Sequence, residues 1–171
     1  MTSLTHTAQA AAPVAVPDSP LQIELRFYLD LPAAEAFDLV ATRLPEWFTL
    51  IHAVHWDHSR STAGRDTPGA CSERVCALGG KALREVIAEY RPGRSYAYRV
   101  DTARSELKMP MRDHLGTFEL APAGNQTLVT WRQHFRPRWY VPAAVLRWQL
   151  GERMMRPAVQ RLIDRYGGRW G

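Results

Sequence analysis

The sequence predicts an α+β chain in which a seven-stranded, curved antiparallel sheet closes round one long C-terminal helix, in the order β-α-α-β6-α. Three observations lead there. Residues 21–136 divide into short segments of strand length separated by turn residues. Gly79-Gly80 lies between two of these segments with the chemistry of a two-residue hairpin. Beyond Pro137 the apolar residues recur at helical rather than alternate spacing.

The opening segment, LQIELRFYL from Leu21 to Leu29, alternates Leu21, Ile23, Leu25, Phe27 and Leu29 against Gln22, Glu24, Arg26 and Tyr28, which is the pattern of a half-buried strand. After Pro32, the residues Phe37, Val40, Ala41 and Leu44 recur at helical spacing until Pro45, and the stretch holding Trp47 and Phe48 reads as a second short helical turn. Residues 52–58 form the next strand, followed by a polar loop. Residues 70–78 and 81–90 flank the hairpin, and Arg91-Pro92-Gly93-Arg94 turns the chain into SYAYRVD, where Tyr96, Tyr98 and Val100 share a face. Residues 112–121 and 126–136 make the last pair. From Val141, the residues Val145, Trp148, Met155, Val159, Leu162 and Tyr166 follow one side of a helix that runs to Gly167-Gly168. Pro157 removes a backbone bond from its interior and predicts a bend, costing about 3 kcal/mol if nothing compensates. An apolar sheet face of this size must be covered, and only the last helix is long enough to cover it.

Composition bounds the function. With 171 residues, 46% hydrophobic and 23% charged, the chain suits one domain, and no apolar run reaches the length of a membrane span. Residues 1–20 are rich in Ala, Pro and Thr, without Lys or Arg, so they predict a flexible tail rather than a secretory signal. A single domain over 21–171 and a cytoplasmic compartment are expected. The net charge of +5 comes from 22 basic residues, of which only Lys81 and Lys108 are lysines. The arginines are spread along the chain without a basic block, so no nucleic-acid partner is expected. Cys71 and Cys76 stand five apart in one predicted strand, on opposite faces, and are expected as free thiols. His52, His55 and His58 make H-x-x-H-x-x-H, but a strand points the middle one away and no carboxylate cluster completes a shell; no metal is expected. Nucleotide-binding and nucleophile-elbow motifs are absent, and no cofactor is expected.

Several motifs occur in a recognisable order: the opening strand into LPAAEAFDLV, the Trp47 region, LREVIAEYRPGRSYAYRV, GTFELAP, and QTLVTWRQHFRP before the last helix. In these the chain, over roughly residues 21–166, resembles the START/SRPBCC superfamily of birch-allergen-like helix-grip proteins. Within that superfamily it resembles the bacterial polyketide cyclase/dehydrase and lipid-transport group. The resemblance implies a ligand-sized apolar cavity between sheet and helix.

Strand alternation nominates the lining. Arg112, His114, Gly116, Phe118 and Leu120 share one face whose apolar end is expected to be the inner one. Trp131 and Gln133 follow on the last strand, with Tyr96 and Tyr98 on the neighbouring one. Trp47 and Trp56 are expected near the mouth, and Met155 or Met154 is the adaptable helix wall. Gly116 between large neighbours is expected to leave space. Taken singly, Trp131 or Phe118 suits plain core packing before ligand contact. An inward Arg112 requires a partner or water, and a register shift of one residue turns both it and His114 to solvent.

The expected partner is a small hydrophobic molecule such as a lipid, isoprenoid or polyketide. The alternative implied by the resemblance is an aldol-type cyclisation and dehydration, with His114 as base, Arg112 as enolate stabiliser and Tyr98 as acid. The Trp, Tyr and Arg pattern of RPRWYVPAAVLRWQLGERMMR also suits contact with a membrane surface. The oligomeric state is left open.

Overall fold

The computed structural model describes residues 18–171. Strand β1 (Leu21–Leu29) buries Ile23, Leu25, Phe27 and Leu29 and leaves Glu24 and Arg26 exposed, as its alternation requires. Helix α1 (Ala33–Ala41) starts after Pro32 and buries Phe37, Leu39 and Val40; a single 3-10 turn (Leu44–Glu46) follows and delivers Trp47. Then come β2 (Ile51–Asp57), β3 (Glu73–Leu78), β4 (Lys81–Arg91), β5 (Ser95–Val100), β6 (Met111–Ala123) and β7 (Gln126–Pro137). The sheet order is β2-β3-β4-β5-β6-β7-β1-β8, every pair antiparallel. Gly79 and Gly80 sit at φ 54° and 76°, the paired left-handed geometry that a tight hairpin between β3 and β4 demands.

The eighth strand, β8 (Gly168–Trp170), corrects the expected seven. Gly167, at φ 77°, ends the last helix with its N–H on the carbonyl of Ile163, and the chain then pairs with β1. Gly168 is required there: a Cβ would lie 2.0 Å from the carbonyl oxygen of Tyr28. Trp170 packs edge-on against Phe27 at 6.5 Å and donates to Gln160, so three residues lengthen the core at the sheet edge. So short a strand has no periodicity to read.

The C-terminal helix contains α2 (Ala143–Arg147), a π-helical stretch (Trp148–Met155) and α3 (Arg156–Tyr166). The expected disturbance at Pro157 takes the form of this wide turn immediately before the proline. Arg156 bonds back to Gly151, one residue further than in an α-helix, and the widening relieves the clash of the proline ring with the preceding turn. Leu146, Met155, Ala158, Val159 and Leu162 are buried in the main core with the inner face of the sheet.

Of the tail expected over 1–20, residues 1–17 lie outside the described residues. Asp18 to Pro20 is docked on the sheet: Ser19 donates to the carbonyl of Asp113, Arg136 to that of Asp18, and Phe135 to that of Pro20. Cys71 precedes β3 rather than belonging to it; it is exposed, Cys76 is buried, and both are free thiols. His52 and His55 are exposed, His58 pairs with the hydroxyl of Ser72, and among the described residues no group of three metal-ligating side chains converges.

Candidate functional site

A cavity of about 350 Å³ opens between the inner face of the sheet and the C-terminal helix. Its floor is Tyr98, His114, Phe118, Trp131 and Gln133 from β5, β6 and β7. Trp47, Phe48 and Ile51 add further wall, and the π-helical stretch supplies Gln149, Leu150, Met154 and Met155. Lys108 and Gln149 are exposed and Met109, Pro110, Leu150 and Met154 half-buried, so the mouth lies between the β5–β6 loop and the wide turn of the helix.

The floor is built by cross-strand pairing. Phe118 faces Trp131 and Gly116 faces Gln133; the rings of Phe118 and Trp131 stack at 4.9 Å. Trp47 meets Trp131 edge-on at 5.6 Å while its own N–H is held by the carbonyl of Leu39, so it is a fixed wall rather than part of the mouth. Gly116 leaves no void. The ring of Tyr98 lies over it so closely that a Cβ would stand 2.2 Å from Cζ.

His114, Gln133 and Tyr98 form a chain. His114 Nε2 pairs with Gln133 Oε1, and Gln133 Nε2 donates to the Tyr98 hydroxyl at 3.0 Å. An amide oxygen only accepts, so His114 carries its proton on Nε2 and keeps a lone pair on Nδ1. That Nδ1 and Trp131 Nε1 are buried with no hydrogen-bond partner among the described residues. Burial lowers the pKa of His114 below the ordinary 6.5, partly offset by the Gln133 bond, and the ring is neutral at pH 7. Burial pushes Tyr98 up to about 12, keeping it a hydroxyl donor.

Arg112 does not join this group. The strand carries a bulge between Arg112 and Leu115, where Asp113 adopts φ 53° and two residues oppose one on β7. The bulge inverts the alternation: Met111 points inward, fully buried against the cavity, and Arg112 is exposed opposite Arg136. Tyr96 and Trp56 also fall outside the lining. Tyr96 is fully buried beside Phe118 and Tyr98, and Trp56 packs over a guanidinium that sequence reasoning missed.

That guanidinium is Arg74. It lies directly across from Glu85 on the β3–β4 ladder, 1% exposed, bonding Glu85 Oε2 through Nε at 2.6 Å and the carbonyl of Ala41 at 3.1 Å. The rings of Trp56, Tyr96 and Tyr98 surround it at 5.6, 5.3 and 5.1 Å. Burial opposes its charge, but Glu85 and the surrounding groups more than offset this and hold it protonated above its usual value. Burial and the same carboxylate push the Cys76 thiol up, so it is inert. The signal was present in the sequence: Glu85 alternates with Leu83 and Ile87, a charge on an apolar parity.

The buried imidazole makes stability depend on pH. Its folded pKa lies below the unfolded 6.5, so the unfolded chain binds the extra proton and stability falls as pH drops through 6.5 toward the lowered value. His134, also lowered by burial, adds in the same sense. Urea titrations between roughly pH 7 and pH 5, above the range of ordinary carboxylates, are expected to show this slope in the wild type and a flatter one in His114→Phe.

A family model described as polyketide cyclase/dehydrase and lipid transport matches residues 20–167. No curated protein matches the chain. Among solved structures, a START superfamily protein from Mycobacterium smegmatis superposes with a TM-score of 0.67 at 14% identity, covering 86% of this chain and 97% of that one. A Thermobifida fusca protein solved by NMR gives 0.66 at 22%, covering 85% and 92%. The protein Ara h 8.0201 gives 0.58 at 11%, covering 83% and 97%. Fold, cavity and family match agree: the chain has the helix-grip fold and belongs to the polyketide cyclase/dehydrase and lipid-transport family.

Proposed function

We propose that the protein binds and carries a small, largely apolar molecule of the lipid, isoprenoid or polyketide kind in the cavity between sheet and helix. The observation that supports this most is the lining: aromatic, Leu and Met side chains around about 350 Å³, with Tyr98, His114 and Gln133 as polar groups on the floor and Lys108 and Gln149 at the mouth. Among the described residues the buried charges at its wall are Arg74 and Glu85, which neutralise each other and so favour an uncharged ligand. Leu150→Trp fills the cavity from a half-buried helix position. It is expected to weaken binding of an apolar fluorescent probe about tenfold or more, with circular dichroism unchanged. Native mass spectrometry and a thermal-shift panel that detect no binder for the wild type would refute the reading.

The second reading, an aldol-type cyclisation, is favoured by the His114–Gln133–Tyr98 chain. A neutral imidazole with a free lone pair is a base for a proton next to a carbonyl, and a phenol held protonated is a donor for the developing enolate oxygen. Arg112 has no part in it. Against this reading, the cation lining the cavity besides the paired Arg74 is Lys108, at the exposed rim. In this reading His114→Ala binds a linear poly-β-ketone yet loses at least about a hundredfold in turnover; equal turnover would leave the carrier alone.

A further inference from the structure

The turn before α2 and the first half of the C-terminal helix expose large apolar side chains that the core does not use. Trp139 is 95% exposed, Tyr140 58%, Trp148 53% and Val145 46%. Val145 and Trp148 lie three apart on one helical face, and Trp139 and Tyr140 pair edge-on at 5.7 Å in the turn. Scattered exposed apolar residues are ordinary; an aromatic group concentrated on one short stretch is not.

This stretch borders the cavity mouth. Arg138 donates from its backbone to Pro110 and from its side chain to the carbonyl of Met109, the loop residues that line the opening. Trp148 precedes Gln149, which lines it from the helix. Three arginines stand among the aromatics and, among the described residues, meet only neutral partners: Arg138 the carbonyl of Met109, Arg147 the side-chain oxygen of Gln22, and Arg153 the ring of Trp148. Their charge is uncompensated, so the patch is both apolar and cationic.

We propose that an anionic lipid bilayer docks on this rim, with Trp139, Tyr140 and Trp148 at headgroup depth and Arg138, Arg147 and Arg153 on acidic headgroups, so that the cavity mouth faces the membrane. Indole and phenol rings have one apolar body and one polar edge, which suits the interface, and arginine stems reach from it to phosphate. Each basic residue near an acidic surface strengthens binding several-fold, so charge and aromatic insertion together make binding measurable without a spanning helix. The inference names the surface on which the proposed carrier exchanges its ligand.

The test is co-sedimentation with vesicles of phosphatidylcholine alone and with phosphatidylglycerol added. The expected result is binding to the acidic vesicles, several-fold weaker binding to the neutral ones, and release on raising salt to roughly 0.5 M. Trp139→Ala with Trp148→Ala, both at exposed sites, is expected to lower the partition about tenfold with the melting temperature unchanged. A bimane dye on Gln149→Cys, in a chain that also carries Cys71→Ser to remove the exposed thiol, shifts to the blue when vesicles are added. Absence of sedimentation, or sedimentation indifferent to those substitutions, would overturn the proposal. So would a dimer in solution that the double substitution dissolves, because the face would then belong to a second copy. Vesicle binding is read without a cavity ligand, so its failure leaves the carrier reading standing, and failure of probe binding leaves this one standing.

Discussion

Replacing Glu85 by Gln is expected to destabilise the protein by about 3–5 kcal/mol and to lower its melting temperature by on the order of 10 °C. The reason is asymmetry. Among the described residues, Glu85 is the one acidic partner within ion-pairing distance of a guanidinium that is 1% exposed, and the carboxylate supplies the charge that holds Arg74 protonated. Removing it leaves a cation in an aromatic cage, where the rings of Trp56, Tyr96 and Tyr98 stabilise it only partly. The pair itself need not add net stability, since both ions were desolvated to form it. Arg74→Met with Glu85→Leu should therefore recover most of the loss. Urea unfolding of the single and double variants checks this: a Glu85→Gln protein within about 1 kcal/mol of wild type would mean that the pair is effectively solvated.

The second large effect is expected at Gly116. Its Cβ would stand 2.2 Å from Cζ and 2.4 Å from the hydroxyl oxygen of Tyr98. The obstacle is the side chain across the ladder rather than the backbone, because Gly116 has no left-handed φ to preserve. Gly116→Ala must push the ring off its seat and break its bond from Gln133, at about 2–4 kcal/mol from overpacking plus one buried hydrogen bond. The His114–Gln133–Tyr98 chain then reorganises, so probe affinity should fall with stability. Combining Gly116→Ala with Tyr98→Ala should cost less than the sum of the single changes, and a double-mutant cycle in urea measures the coupling. Strict additivity would show that the two residues do not share this space.

How far the site could be read in advance follows from which positions obey simple alternation. His114, Phe118, Trp131, Gln133 and Tyr98 line the cavity because along β5, β7 and the upper half of β6 an inward residue is followed by another two positions on, while Trp47 and Met155 reach it from the end of the 3-10 turn and from the π-helical stretch. Arg112 breaks with them because one extra residue at Asp113 turns the rest of the strand over. Nothing in MRDHLG announces that bulge; it is held by Ser19, close in space and ninety-four positions away in the chain. Tyr96 shares the face of Tyr98 but lies deeper, where neighbouring rings cover it and no cavity remains.

The sequence by itself determined the succession of elements, the hairpin at Gly79-Gly80, and the covering of one sheet face by the last helix, because these depend on local period and local turn chemistry. It also held the clue to the buried ion pair in the parity of Glu85. Only the tertiary structure decided what fills the space over Gly116, which residue of the bulged strand faces inward, how Pro157 is absorbed by a π-helical turn, and that β8 closes the sheet edge. Each of these is settled by atoms distant in the chain that compete for one volume or one hydrogen bond, and no periodicity along a single segment records that competition.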